Sequence, residues 1–138
     1  AVGAGLVVAG WLLWWWRRWA RSRAARRRVR GAQRAEREAT RLLAAHGYII
    51  EQLQPTLRWS VIVDGRPHPV LLRADAIVSR QRRRYVADIK SGARASQLAF
   101  APTRRQLLEY RIAYDVEGVL LVDMERSAIH QIEFGVTS

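Results

Sequence analysis

Val70-Leu-Leu-Arg-Ala-Asp75-Ala-Ile-Val78 and Tyr85-Val-Ala-Asp88-Ile-Lys90 are two apolar runs joined by the polar stretch 80–83. Apolar runs of this length, bounded by polar turn residues, read as buried strands. Side chains two apart on a strand point to one face, so Asp88 and Lys90 point the same way. A turn centred between Gln81 and Arg82 makes the pair an antiparallel hairpin. Opposite residues then share a constant index sum, and Asp75 falls opposite Asp88. Of 24 basic residues, Lys90 alone is lysine and the rest are arginine. An ammonium kept where guanidinium is otherwise used throughout points to a task that needs a compact, flexible cation. Two carboxylates and one ammonium at one place read as a metal site with a catalytic lysine beside it. The alternative is a same-face ion pair of Asp88 and Lys90. Such a pair contributes little if exposed, and burying three charges without a function is costly.

Working outward, residues 91–101 are small and polar enough to be a loop bordering an open site. Pro102 suits the first turn of a helix over 103–115. Residues 119–124, Val-Leu-Leu-Val-Asp-Met, read as an apolar strand, and 128–134 alternate as an edge strand does. Upstream, 57–63 and 69–78 form a hairpin around Asp64-Gly65-Arg66-Pro67, a strong turn signal. Residues 48–53 form a first strand, ended by Pro55. From Gln33 to His46 the pattern is amphipathic, with Ala35, Ala39, Leu42, Leu43 and Ala45 on one side and Gly47 as the helix C-terminal cap.

This order, with acids at its centre, resembles the PD-(D/E)XK nucleases. It implies an α/β restriction-endonuclease-like fold with an α-β-β-β-α-β core and a mixed central sheet. Asp75 matches the first acid of the motif, and Asp88-Ile89-Lys90 matches its (D/E)-x-K. Gln106-Leu-Leu-Glu-Tyr110 is similar to the Q-x-x-x-Y helix of RecB-type members. Glu36, followed by Ala39, Leu42, Leu43, Gly47 and Tyr48, resembles the opening helix of the superfamily, where a glutamate often joins the site. Arg73-Ala74 precedes Asp75 where members often carry a glycine. The resemblance spans roughly residues 33–124.

It implies a divalent-metal-dependent nuclease with Mg²⁺ or Mn²⁺ as cofactor and DNA as its nucleic-acid partner. Mg²⁺ takes oxygen ligands and keeps several waters. Asp75, Asp88 and the Ile89 carbonyl would supply those oxygens, and Glu36 would complete the metal environment. Lys90 would position the attacking water or stabilise charge on the scissile phosphate. Gln106 and Tyr110, four apart on one helix face, would support the site and contact substrate backbone. Glu38 lies two residues from Glu36 and is the competing inward-facing acid. His46, His68 and His130 have no ligand spacing to one another. Many relatives pair, so a homodimer is a further expectation.

The net charge of +12 is unevenly spread. Residues 1–35 carry nine arginines and no acid, whereas 36–138 carry 15 basic and 12 acidic residues, a net +3. Overall basicity is therefore poor evidence for nucleic-acid binding by the folded part. Residues 1–16 have no charged residue and end in Trp14, Trp15 and Trp16, with Trp19 close behind and arginines at 17, 18, 21 and 23. An aromatic cluster followed by arginines is the pattern of a membrane interface with its cytoplasmic side downstream. The expectation is a single-pass anchor over 1–16, with membrane contact through 1–19 and the C-terminal domain cytoplasmic at the inner or cell membrane. As a helix, 1–16 spans about 24 Å, short of the ~30 Å hydrocarbon core. Residues 17–34 read as an arginine-rich helix, either a solvated stalk touching anionic headgroups or a DNA-gripping arm. Residues 35–138 form the nuclease-like domain. A second class of function stays open, a non-catalytic nucleic-acid-binding or assembly module of the same fold tethered to the membrane. With no cysteine, disulfides and Cys-based zinc sites are excluded.

Overall fold

The first helix ends, as expected, at Gly47. The computed structural model describes the backbone of residues 2–138 and the side chains of 12–18, 20, 21, 25–31 and 33–138. Helix α1 (Val2–Ala45) is followed by β1 (Ile49–Leu53), β2 (Thr56–Val63), β3 (Arg66–Arg73), β4 (Ala76–Arg80) and β5 (Arg83–Lys90). Then come α2 (Ala101–Ala113), β6 (Gly118–Asp123) and β7 (Ala128–Ile132). The Gly47 N–H donates to the Ala44 carbonyl and the Tyr48 N–H to the Leu43 carbonyl, both at 3.0 Å, with Gly47 at φ +82°. This is a Schellman cap, and its usual apolar contact is present, since Leu43 and Tyr48 belong to one buried cluster. Any residue with a Cβ would be strained at that φ.

The chain divides into two units, one ending at Ala35 and the other covering Glu36–Ser138. In the first, α1 runs as helix from Val2 onward without a break at Gly31. Among the described residues no helix is long and apolar enough to cross a membrane. The anchor expected over 1–16 lies largely outside the residues whose side chains are described.

The second unit is mixed α/β. Its five-stranded sheet has the order β1-β4-β5-β6-β7, with β5 and β6 parallel and the other neighbours antiparallel. A two-residue turn makes β4 and β5 antiparallel, and β1 pairs antiparallel with β4 across the intervening β2–β3 hairpin. The crossover through α2 makes β6 parallel to β5, as a helical connection allows. Side chains alternate cleanly between two layers. Ala76, Val78, Tyr85, Ala87, Leu120 and Val122 face the last turns of α1, where Ala39 and Leu43 are buried. Ile77 and Val86 face a cluster with Tyr110 of α2 and Tyr114 just after it, and Val119 and Leu121 pack on Leu107. Of the apolar stripe expected on the opening helix, Ala39 and Leu43 are buried, Ala35 and Leu42 are half-buried, and Ala45 is exposed. Each buried aliphatic side chain contributes about 1.5–3 kcal/mol, and Leu43→Ala would cost about 2–5 kcal/mol.

One expectation needs correcting. Residues 69–78 are not one strand. β3 pairs only with β2, in a separate two-stranded sheet, whereas β4 belongs to the main sheet. The break falls at Ala74 and Asp75 and has a local cause. The Ala74 N–H donates to the Pro55 carbonyl (3.2 Å) and the Gln54 N–H donates to the Asp75 carbonyl (2.8 Å), so backbone crossing here diverts the strand. The β2–β3 turn places Asp64 at φ 49° and Gly65 at φ 77°. The β4–β5 turn places Gln81 and Arg82 at φ 53° and 64°. Both are two-residue turns with two left-handed residues, the geometry whose twist matches a hairpin.

Candidate active site

Asp88 reaches the site from the end of β5, whose alternation sends Ile89 toward α1 and Asp88 with Lys90 toward α2. It is 2% exposed. Lys90 Nζ donates to Asp88 Oδ1 at 3.3 Å and lies 3.1 Å from Oδ2. The closer approach lacks hydrogen-bond geometry, so Oδ2 is buried with no donor of its own. Burial pushes the Asp88 carboxyl up to about 6; the Lys90 charge opposes this and the Asp75 carboxylate adds to it. Asp88 and Asp75 share one ammonium, so the pair of acids is short of positive charge.

The turn between Gln81 and Arg82 sets the register Ala76↔Ala87, which extends one step to Asp75 beside Asp88. Asp75 Oδ2 accepts the Ile89 N–H at 2.6 Å, so the first acid is tied to the backbone between the second acid and the lysine. Tyr110 of α2 and Tyr114, which caps its C-terminus, hold the strand break that presents Asp75. The Tyr110 hydroxyl donates to the Arg73 carbonyl at 3.0 Å. The Tyr114 hydroxyl donates to the Pro55 carbonyl at 2.6 Å and accepts the Ala74 N–H at 3.2 Å.

A second chain of hydrogen bonds aims the lysine. Lys90 Nζ donates to Gln106 Oε1 at 2.7 Å, and Gln106 Nε2 donates to the Tyr110 hydroxyl at 2.9 Å. An ammonium has only donors, so the amide must present its oxygen to Lys90 and its NH₂ to Tyr110. Tyr110 must then donate to Arg73. The polarity of the whole chain follows from Lys90 being charged. Burial foremost, then the Asp88 and Asp75 charges, pushes the Tyr110 hydroxyl up to about 12, so it stays a donor.

Glu36 lines a cavity of about 310 Å³ together with Asp75 and Ile89. It is exposed, and its Oε1 accepts the Gln54 side-chain amide at 3.1 Å. Among the described residues, no three His, Asp or Glu side chains form a metal-holding group. The donors that fit a hard divalent ion are therefore Asp75, the unserved oxygen of Asp88 and a backbone oxygen such as that of Ile89. Mg²⁺ needs few protein ligands because it retains water. A wider cleft of about 500 Å³ opens beside Lys90 and Gln106 and is lined also by Phe100, Thr103, Arg105 and Glu109.

Two supporting residues are absent from the sequence reading. Tyr114 lies four residues after Tyr110 and caps α2, its N–H donating to the Tyr110 carbonyl, and that spacing is a signal for it. Gln54 has none: its role comes from meeting Asp75 and Glu36 in space.

No family model and no curated protein matches the chain. Among solved structures, the chain is similar to the crystal structure of SSO0001, with 19% sequence identity and a TM-score of 0.50. The match covers 71% of this chain and 47% of that one, so this chain spans about half the length of the structure it matches. At that identity, what the two chains share is a fold.

Proposed function

We propose that this chain is a divalent-metal-dependent nuclease of the PD-(D/E)XK type with a restriction-endonuclease-like core, hydrolysing phosphodiester bonds in DNA. The observation that carries the reading is the buried, donor-less oxygen of Asp88 beside Asp75 and Lys90. Asp75, Asp88 and the Ile89 carbonyl would hold Mg²⁺ or Mn²⁺. Glu36 reaches that environment only from the rim of the Asp75 cavity. When bound, the ion supplies Lewis-acid polarisation of the phosphate and a more acidic water.

The chain's own residues do the rest. Asp75 and Asp88 bring two negative charges to the place where a cation is needed. Lys90, held by Gln106 at 2.7 Å and by Asp88, keeps a preoriented ammonium in a site that is only partly open, 20% exposed at its side chain. A fixed cation near developing phosphate charge needs no reorganisation at the moment of reaction. Gln106 and Tyr110 position Lys90, and Tyr110 also ties it to the strand break that presents Asp75.

The same reading tethers the domain to the cytoplasmic face through residues 1–19. What supports it is the row Leu12, Leu13, Trp14, Trp15 and Trp16, each more than half exposed, with the Arg18 guanidinium 5.3 Å from the Trp14 ring centre. Exposed apolar and aromatic side chains followed by arginine suit a headgroup interface. The test of the enzymatic reading is Mg²⁺- or Mn²⁺-dependent cleavage of DNA by purified protein, abolished in Lys90→Ala and Asp88→Asn. Folded wild-type protein that cleaves neither DNA nor RNA with either metal would overturn it.

A further inference from the structure

The β2–β3 hairpin contributes no side chain to the candidate hydrolytic site. Each strand is eight residues long, so the ribbon extends about 27 Å at ~3.4 Å per residue. Each strand has the other as its sole partner. Its root is anchored: Leu57, Trp59, Val70 and Leu72 pack with Tyr110 and Tyr114, and Trp59 Nε1 donates to Glu109 Oε1 at 3.3 Å. Its other face is not covered. The register Arg58↔Leu71, Ser60↔Pro69 and Ile62↔Pro67, with Thr56↔Arg73 at the base, places these residues on the side away from the root packing. Ile62 is 60% and Leu71 68% exposed, beside exposed Pro67 and Pro69. A contiguous apolar strip flanked by exposed arginines marks a contact surface.

The charge names the partner. The hairpin carries three arginines, Arg58, Arg66 and Arg73, and a single acid, Asp64, and Arg58 and Arg73 lie on the uncovered side. A second copy of this chain adding a strand is the poorer occupant, because Pro67 and Pro69 offer no N–H to a third strand along β3. A two-stranded ribbon fits the ~12 Å major groove of B-form DNA, whereas the deep, narrow major groove of A-form RNA does not admit it. The ribbon is also tied to the site. It ends at Arg73, whose carbonyl accepts the Tyr110 hydroxyl, two residues before Asp75.

We propose that the β2–β3 hairpin is a duplex-DNA arm, with Arg58 and Arg73 on phosphates and the Ile62, Pro67, Pro69 and Leu71 strip in the groove, delivering double-stranded substrate to Asp75. The delivery rests on the nuclease reading; the binding does not.

The test is fluorescence anisotropy with full-length protein in EDTA, using a short DNA duplex, its single strand and the corresponding RNA duplex. The wild type binds the DNA duplex tightest. Arg58→Ala with Arg73→Ala weakens duplex binding about tenfold or more and lowers the salt slope by about two, one per phosphate contact. The paired Lys substitutions at 58 and 73 keep the charge and stay near wild type. Ile62→Ser, on an exposed position that folding does not need, weakens duplex binding by about threefold. Unchanged duplex binding in the double alanine variant, or an equal loss on all three nucleic acids, would overturn the arm. So would an Ile62→Ser variant that dissociates a dimer in sedimentation while each protomer binds duplex as before. Cleavage reports on the other reading. Duplex binding through Arg58 without metal-dependent cleavage sinks the hydrolase and leaves the arm, and cleavage with no Arg58 or Arg73 dependence of binding does the reverse.

Discussion

Asp88 and Asp123 sit near the ends of neighbouring parallel strands, β5 and β6, and are 2% and 1% exposed. Their surroundings differ completely. Asp123 Oδ1 accepts the N–H groups of Glu125 and Arg126 at 3.0 and 3.1 Å, and Oδ2 meets the Arg126 guanidinium at 2.9 Å. Burial pushes its carboxyl up, but the Arg126 side chain and backbone, together with the Glu125 N–H, outweigh that and hold it below the ordinary value. Asp88 receives one side-chain hydrogen bond, from Lys90, and burial leaves it well above the ordinary value. Asp123 closes the β6–β7 turn with its acceptors served. Asp88 is buried with spare acceptor capacity, and that surplus is what a metal site needs.

The largest expected contrast is in turnover. Lys90→Ala and Asp88→Asn should each reduce metal-dependent cleavage by about 10³-fold or more, roughly 4 kcal/mol of transition-state stabilisation. Asp123→Asn should leave turnover per folded molecule within about threefold. If the Asp123 variant lost activity as the Asp88 variant does, the two carboxylates would not differ in kind.

Stability against pH comes next, and the two acids should act with opposite sign. Asp88 is raised from 3.8 to about 6 on folding. Its contribution is fully present below about pH 4 and is lost as pH rises through about 6, a loss of up to ~3 kcal/mol in metal-free protein. Asp123 is lowered, so its contribution is present above about pH 4 and is lost as pH falls through its folded value. Urea unfolding in EDTA from about pH 4 to 8 should show a decline in wild type that is missing in Asp88→Asn. Mn²⁺ should raise the melting temperature more at about pH 7.5 than at about pH 5, because the ion and the proton compete for Asp88. A metal response independent of pH would place the ion elsewhere.

Asp123→Ala should destabilise by about 2–3 kcal/mol at neutral pH, since charge-assisted bonds are lost and two backbone N–H groups lose their acceptor. The smallest effects belong to the positioning chain. Gln106→Leu should lower turnover about tenfold with KM little changed, because Lys90 remains but is no longer aimed. Tyr110→Phe should cost about 1 kcal/mol of stability and a few-fold in turnover. A larger effect from Tyr110→Phe than from Gln106→Leu would mean that the strand break matters more than the lysine's orientation.

How much of this could be read in advance varies by residue. The pairing of Asp75 with Asp88 was legible because a two-residue turn fixes register by counting, and counting is local. The helix cap at Gly47 was legible for the same reason. The separation of β3 from β4 was not, because Val70-Leu71-Leu72 and Ala76-Ile77-Val78 are equally apolar and nothing within the run marks Ala74 as a corner. That corner is imposed from elsewhere, by Pro55, Gln54 and the hydroxyls of Tyr110 and Tyr114. Asp123 carried no signal either, since a strand-end aspartate looks the same whether its acceptors are served or not.

By itself, then, the sequence determined the order of the elements apart from the split between β3 and β4, the face shared by Asp88 and Lys90 and their alignment with Asp75, all set by periodicity and short turns. Only the tertiary structure decided that Asp88 keeps an unserved oxygen, that Gln106 takes the lysine, and that the hairpin stands apart from the sheet. Those outcomes depend on which hydrogen-bond partners remain once distant segments have packed, and no local pattern of residues contains that information.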